Sequence, residues 1–542
     1  MKKFLSICLI LSIVSIQGAE FLSPDRIEKG MEGFGLTSFT GSEIDTFNVK
    51  ILGVLKGAGV GHTIILARLE GGPLKETGVL SGMSGSPVFV NGKLIGAVAY
   101  AWIFSKEPIC GIQPIEEMLK ASTVKGVDLK KLVPLKNILS ISGVGSSPFL
   151  DSLSGRYDME VIPSGKAKEV VKKLGVGSPC GVVLVDGDAN IAVLGTITYI
   201  NDKTVYAFGH SAFLSGKCRL PFSSAYVTAL LPSIYSSFKF LVPSEIVGSV
   251  DFDGFSGIRA RIGQMPEWTE YEIKIGGMDR KYRLAKANFL YSYLIGTLTF
   301  ENLIEAIGGD YAGTAKGKIS ISLSSPMAGN RKIEWKLFSS GEDLHRKLSM
   351  EISSLIDILI NNPYDTLNLR SISLNLNVSN KVMGYKLKEI KLLKSEFKPG
   401  EKADIHLVFS RYRMGDTTLI VYLNMPSIEG DYKIIAGSGS SLYDKSIKEI
   451  LGSNLKIGIS RYLSYLEKRP YNNQLRVELV SKGNRLGGTL LPQFPPSIEM
   501  IYRGEFSKGE YVIRRVKKFL DGEIYGIKKA EIKIKQNSLG EK

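Results

Sequence analysis

At 542 residues and 44% hydrophobic, the chain has apolar residues enough for about three packed domains, and its composition excludes a disordered or collagen-like polymer. Its net charge of +16 comes from Lys and Arg spread along the whole length, without a dense run or interleaved aromatics. A solvated basic surface is therefore expected and nucleic acid is not an expected partner; scattered histidines and cysteines imply no metal, and no organic cofactor is implied either.

Lys2 and Lys3 precede an apolar run, Phe4 to Ile16, that ends near Gly18-Ala19. This is a secretory signal pattern over 1–19, so the mature protein is expected to be exported to a periplasmic or extracytoplasmic space. Its removal leaves Cys110, Cys180 and Cys218, enough for one disulfide at most. The later apolar run Tyr226 to Pro243 is broken by Pro232, Ser233 and Lys239, and no transmembrane helix is expected there.

From Glu20 to about Thr123 the pattern is β-rich, with strands predicted near Phe47–Leu55 and Thr63–Leu69. Gly82-Met83-Ser84-Gly85-Ser86-Pro87 then reads as a tight turn. Glycines on both sides of Ser84 allow backbone angles closed to other residues, so the hydroxyl can stand clear of its own chain. The same turn leaves the N–H groups of Gly82 and Ser84 free to bind an oxyanion. Val88-Phe89-Val90 and Leu94 to Val98 follow as short strands, joined by the hairpin signal Asn91-Gly92. Ile112 to Ala121 starts a short helix, 126–179 reads as linker and irregular structure, and β pattern resumes at Cys180. Gly181–Asp188, Ile191–Ile200 and Val205–Phe208 are predicted strands, the last leading into Gly209-His210-Ser211. Within a connector over 331–383, Leu344, Leu348, Ile352, Leu355 and Leu359 mark one face of a helix. Regular short strands over 384–542 predict a separate immunoglobulin-like β-sandwich without catalytic groups.

The serine turn resembles the Gly-Asp-Ser-Gly-Gly-Pro turn of chymotrypsin-like serine peptidases. It is more similar still to the SpoIVB-type peptidases, which share Gly82-Met83-Ser84-Gly85-Ser86-Pro87, Asn91-Gly92-Lys93 and Ile95-Gly96-Ala97-Val98. The resemblance runs upstream to Phe47–Ile51 and downstream to Ile115–Leu119. A second block, Gly195-Thr196-Ile197-Thr198 with Phe208-Gly209-His210, is similar to the histidine block of that family, and Gly248–Gly254 to the segment after it. In the family the histidine block comes first; here the serine block does. The resemblance thus implies a mainly β, chymotrypsin-like double β-barrel core in permuted order, its serine half over 20–125 and its histidine half over 180–330.

A serine hydroxyl needs a base to take its proton, and histidine suits that role. His345 and His406 sit in a predicted helix and strand and read as structural. His62 precedes Ser84, the order of chymotrypsin-like chains. His210, at a strand end beside glycine and inside the second resembling block, is the stronger base. By position relative to Lys75-Glu76-Thr77-Gly78, the resemblance places the family's acid on Glu70, with Asp251 and Asp253 as alternatives. The expectation is a serine endopeptidase acting on few protein or peptide substrates in envelope processing or signalling: Ser84 as nucleophile, His210 as base, Glu70 as acid, Gly82 and Ser84 N–H as oxyanion hole. The alternative is a non-catalytic envelope protein that keeps the peptidase fold for binding.

Overall fold

The computed structural model describes residues 12–14, 20–59, 62–120, 134–165, 171, 173–308, 312–452, 458–486, 489–490 and 506–536. The expected signal peptide lies outside them except for 12–14. The protein is mainly β, with 56% strand and 16% helix.

Six strands close into a first barrel, in the order Glu32–Thr37, Asp45–Gly59, His62–Glu70, Ile109–Pro114, Lys93–Ala101 and Pro87–Val90. Period-two alternation builds it: Phe47, Val49 and Ile51 point inward while Asn48 and Lys50 face solvent. Asn91 and Gly92 take φ of 52° and 74°, the left-handed pair that a two-residue hairpin needs.

A sheet of 13 strands contains the histidine half. Its path runs through Pro179–Gly187, Gly216–Leu231, Phe238–Gly254, Gly257–Ile262, Thr204–Ala207 and Asn190–Asn201. The last of these also pairs antiparallel with Pro179–Gly187, which closes these strands into a second ring. Beyond the ring, the segment read as linker supplies two further strands, Asn137–Ser142 and, at the edge of the sheet, Met159–Pro163, around a helix Pro148–Arg156. The segment read as a helical connector is a strand, a helix Leu344–Ile360 and the strand Asn368–Ser379, which pairs in parallel with Trp268–Ile275. A further helix, Tyr291–Ile307, packs on the Leu344–Ile360 helix inside the same core.

The C-terminal part is a sandwich of a four-stranded and a six-stranded sheet sharing one core, with Ile405, Leu407 and Phe409 facing Ile434, Val477 and Ile532. Two helices, Gly439–Gly452 and Ile459–Glu467, interrupt it. Buried Arg469 ties this unit to the helix before it, bonding Asp444 and Glu351 at 2.9 Å each.

Candidate active site

Ser84 lies on the rim of the first barrel, and His210 follows a strand of the second ring. Gly82 and Gly85 hold the serine turn open with φ of 95° and 96°. Within it, Met83 N–H donates to Leu80 O (3.0 Å), Gly85 N–H to Val98 O (2.8 Å) and Ser86 N–H to Met83 O (2.8 Å). The N–H groups of Gly82 and Ser84 make no hydrogen bond among the described residues. Those are the two donors that an oxyanion requires.

The turn is docked on the other barrel by its backbone. Thr196 N–H donates to Ser84 O (2.8 Å), Thr196 Oγ1 to Gly82 O (2.9 Å) and Thr198 Oγ1 to Gly85 O (2.7 Å). The Gly-Thr-x-Thr block is therefore the clamp on the Ser84 turn, a role its sequence alone did not reveal. Phe208 and Gly209 both take φ of 73°. For phenylalanine this is an unfavourable conformation, held by the surrounding packing. It brings the Phe208 carbonyl within 2.9 Å of Ser84 Oγ and delivers His210 to the same hydroxyl.

Ser84 Oγ and His210 Nε2 are hydrogen-bonded across 126 residues of chain. The other ring nitrogen, Nδ1, faces the Ser211 carbonyl at 3.0 Å. A carbonyl only accepts, so Nδ1 carries the proton and Nε2 presents its lone pair to the serine, the tautomer a general base needs. Both side chains are covered, Ser84 being 1% and His210 4% exposed. Burial depresses the imidazole pKa from 6.5 to about 4, against a small upward pull from the Ser211 carbonyl.

The structure does not bring Glu70 to this imidazole. It lies exposed at the end of its strand, opposite Asn48, and both ring nitrogens of His210 are engaged elsewhere. Asp251 is taken by Arg259 (2.7 Å) and Arg261 (3.1 Å). Asp253 is buried behind the loop that follows His210. His62 packs on Phe255 and bonds Glu117 Oε2 at 3.0 Å. His345 packs in its helix against Phe300, and His406 lies in a strand of the sandwich. Cys110, Cys180 and Cys218 are all free thiols.

A residue not foreseen is Lys239. It is 1% exposed, lies against Gly82, and donates from Nζ to Thr37 Oγ1 (2.7 Å) and Ser38 O (2.8 Å). Thr37 Oγ1 also accepts from Ser86 Oγ at 3.0 Å, so the amine belongs to the floor of the serine turn. Two cavities flank the site and share Pro134–Lys136. One, about 180 Å³, is lined by His210, Tyr100, Asn137 and Phe255. The other, about 80 Å³, is lined by Ser81, Trp102, Phe104 and Tyr235. A larger hollow of about 680 Å³ lies on the C-terminal sandwich around Glu396 and Glu531 and touches none of these residues.

A serine held between glycines, a neutral imidazole beside it and two N–H donors without a partner among the described residues are the parts an acyl-transfer site needs. Comparison with known families agrees with that chemistry. Residues 22–119 match the SpoIVB peptidase S55 family. The S55 span holds the first barrel and Ser84 and ends well before His210. No curated protein and no solved structure matches the chain. The S55 match supports a serine peptidase.

Proposed function

We propose that the chain is an exported serine endopeptidase that cleaves one or a few protein substrates. Ser84 Oγ attacks the peptide carbonyl carbon while His210 Nε2 takes the hydroxyl proton. The N–H groups of Gly82 and Ser84 hold the resulting oxyanion. Nε2 then gives its proton to the leaving amine as the C–N bond breaks, leaving an acyl group on Ser84. Water, deprotonated by the same nitrogen, releases it. The observation that carries this reading is the Ser84–His210 hydrogen bond, formed between two barrels and inside an S55-matched turn. Lys2, Lys3 and the apolar run after them support export, and the serine-first order supports a permuted arrangement of the family's two halves.

Labelling with a fluorophosphonate tests it. Wild-type protein takes the label, Ser84→Ala takes none, and His210→Ala slows labelling on the order of 1000-fold or more. His62→Ala, which alters a group bonded to Glu117, leaves labelling in place. A folded wild type that stays unlabelled would mean a relic or a latent site and would make the binding-protein reading the better one; the near-complete cover over Ser84 is the observation on that side.

The pH dependence is distinctive. The base works only when neutral, and burial lowers its pKa to about 4. The labelling rate is therefore expected to hold from pH 8 down to about pH 5 and to halve near pH 4. An imidazole at its ordinary pKa would halve the rate near pH 6.5, and a rate profile from pH 3.5 to 8 separates the two.

A further inference from the structure

The imidazole lacks a carboxylate partner, yet a carboxylate stands one peptide away. Asp253 is fully buried, and no Lys or Arg pairs with it among the described residues. Among the described residues its charge is met by donors of the loop after His210: Ala212 N–H (2.9 Å), Phe213 N–H (2.8 Å), Ser215 N–H (3.1 Å) and Ser215 Oγ (3.2 Å). The first of these matters most. Ala212 N–H and Ser211 C=O are the two ends of a single amide, and the oxygen end accepts the His210 Nδ1 proton at 3.0 Å.

We infer that Asp253 is the acid of this site and acts on His210 through the Ser211–Ala212 peptide, as a positioning residue. The inference rests on the peptidase reading of Ser84 and His210. A carboxylate bonded to an amide N–H pushes electron density toward the carbonyl oxygen, and hydrogen bonds in such a chain strengthen one another. The series Asp253 carboxylate, Ser211–Ala212 amide, His210 Nδ1–H, Nε2, Ser84 hydroxyl thus has the polarity of a triad with one peptide inserted. It fixes the tautomer and stabilises the imidazolium formed during attack. Burial pushes the Asp253 carboxyl pKa upward, and the loop donors pull it back toward the charged form. Asn137 trims the arrangement: its Nδ2 donates to the same Ser211 oxygen at 3.1 Å and competes with the imidazole for it.

The test follows the Nδ1 proton resonance of His210 in histidine-labelled protein, assigned by its loss in His210→Ala. In Asp253→Asn the resonance moves upfield and fluorophosphonate labelling slows on the order of 10- to 100-fold. In Asn137→Ala it moves downfield, because one competing donor has gone. A role for Asp253 in loop structure alone changes stability and leaves the resonance of the folded variant in place. An unmoved resonance and an unchanged labelling rate in Asp253→Asn overturn the inference. If that variant does not fold, Asp253→Glu is read in its place, and an unmoved resonance with an unchanged labelling rate overturns the inference. The resonance also reads the relay in a protein that takes no label, so a failure of the peptidase reading is seen separately.

Discussion

Gly85→Ala is expected to lower the fluorophosphonate labelling rate by at least about 100-fold and stability by about 3 kcal/mol or more. Two independent constraints meet at this glycine. Its φ of +96° is one that alanine resists. An added Cβ would also stand 2.0 Å from Thr196 O and 2.5 Å from Phe208 N, both backbone atoms of the other barrel. Neither can give way without breaking the clamp that holds Ser84 O, so Ser84 must retreat from His210. Gly92→Ala is the matched control. It also has a positive φ, +74°, but nothing lies within 4 Å, so only the conformational cost of about 1 kcal/mol remains. Labelling and thermal unfolding of the two variants check the contrast. Equal behaviour of both would show that contact between the barrels at Gly85 is not what holds the turn.

Lys239 gives the second large effect, on the pH dependence of stability. Burial lowers its amine from 10.5 to about 7, with a weak opposing pull from Asp45. Between those values the unfolded chain binds a proton that the folded chain does not. Stability should therefore climb as pH rises through that window, by a few kcal/mol in total, and be flat below about pH 7 as far as this group is concerned. Lys239→Met removes the climb. It also leaves the Ser38 carbonyl without its donor, a cost of about 1–3 kcal/mol that is independent of pH. The slope of unfolding free energy from pH 7 to 10, compared between the two proteins, is the measurement. All other titrating groups are common to both, and identical slopes would mean that the amine stays charged inside the fold.

What sequence could and could not show divides along the range of the interactions. Asn91-Gly92, the alternating Phe47-Val49-Ile51 strand and the one-sided helix through Leu348 and Leu355 are local patterns, and each names its element. The Tyr291–Ile307 helix escaped because it is covered on nearly every side. Leu294, Ile295, Thr297, Leu298 and Thr299 are all buried, so no polar stripe betrays the helical period. The strands at Asn137–Ser142 and Met159–Pro163 were hidden by their Ser- and Gly-rich surroundings, and pairing with Asn190–Asn201 and with each other makes them strands. At the site, Ser84 and His210 carry residue types and turn chemistry that point to function. The groups that arrange them do so through backbone atoms: Ser211 by its carbonyl, Phe208 by a left-handed φ, Thr196 through Gly82 O. Side-chain identity says little about such contacts. Glu70 was placed by its spacing from a neighbouring motif, and spacing along one strand does not determine which strand end faces the imidazole.

The order of the two barrels along the chain also governs time. Synthesis proceeds from the amino end, so the strands that carry Ser84 are complete at Pro114, while His210 lies 126 residues beyond Ser84 and its supporting ring closes only with Gly257–Ile262. Throughout that interval the growing polypeptide holds Ser84 without His210. A chain assembled in this sequence cannot bring the two side chains together until most of its first half has folded.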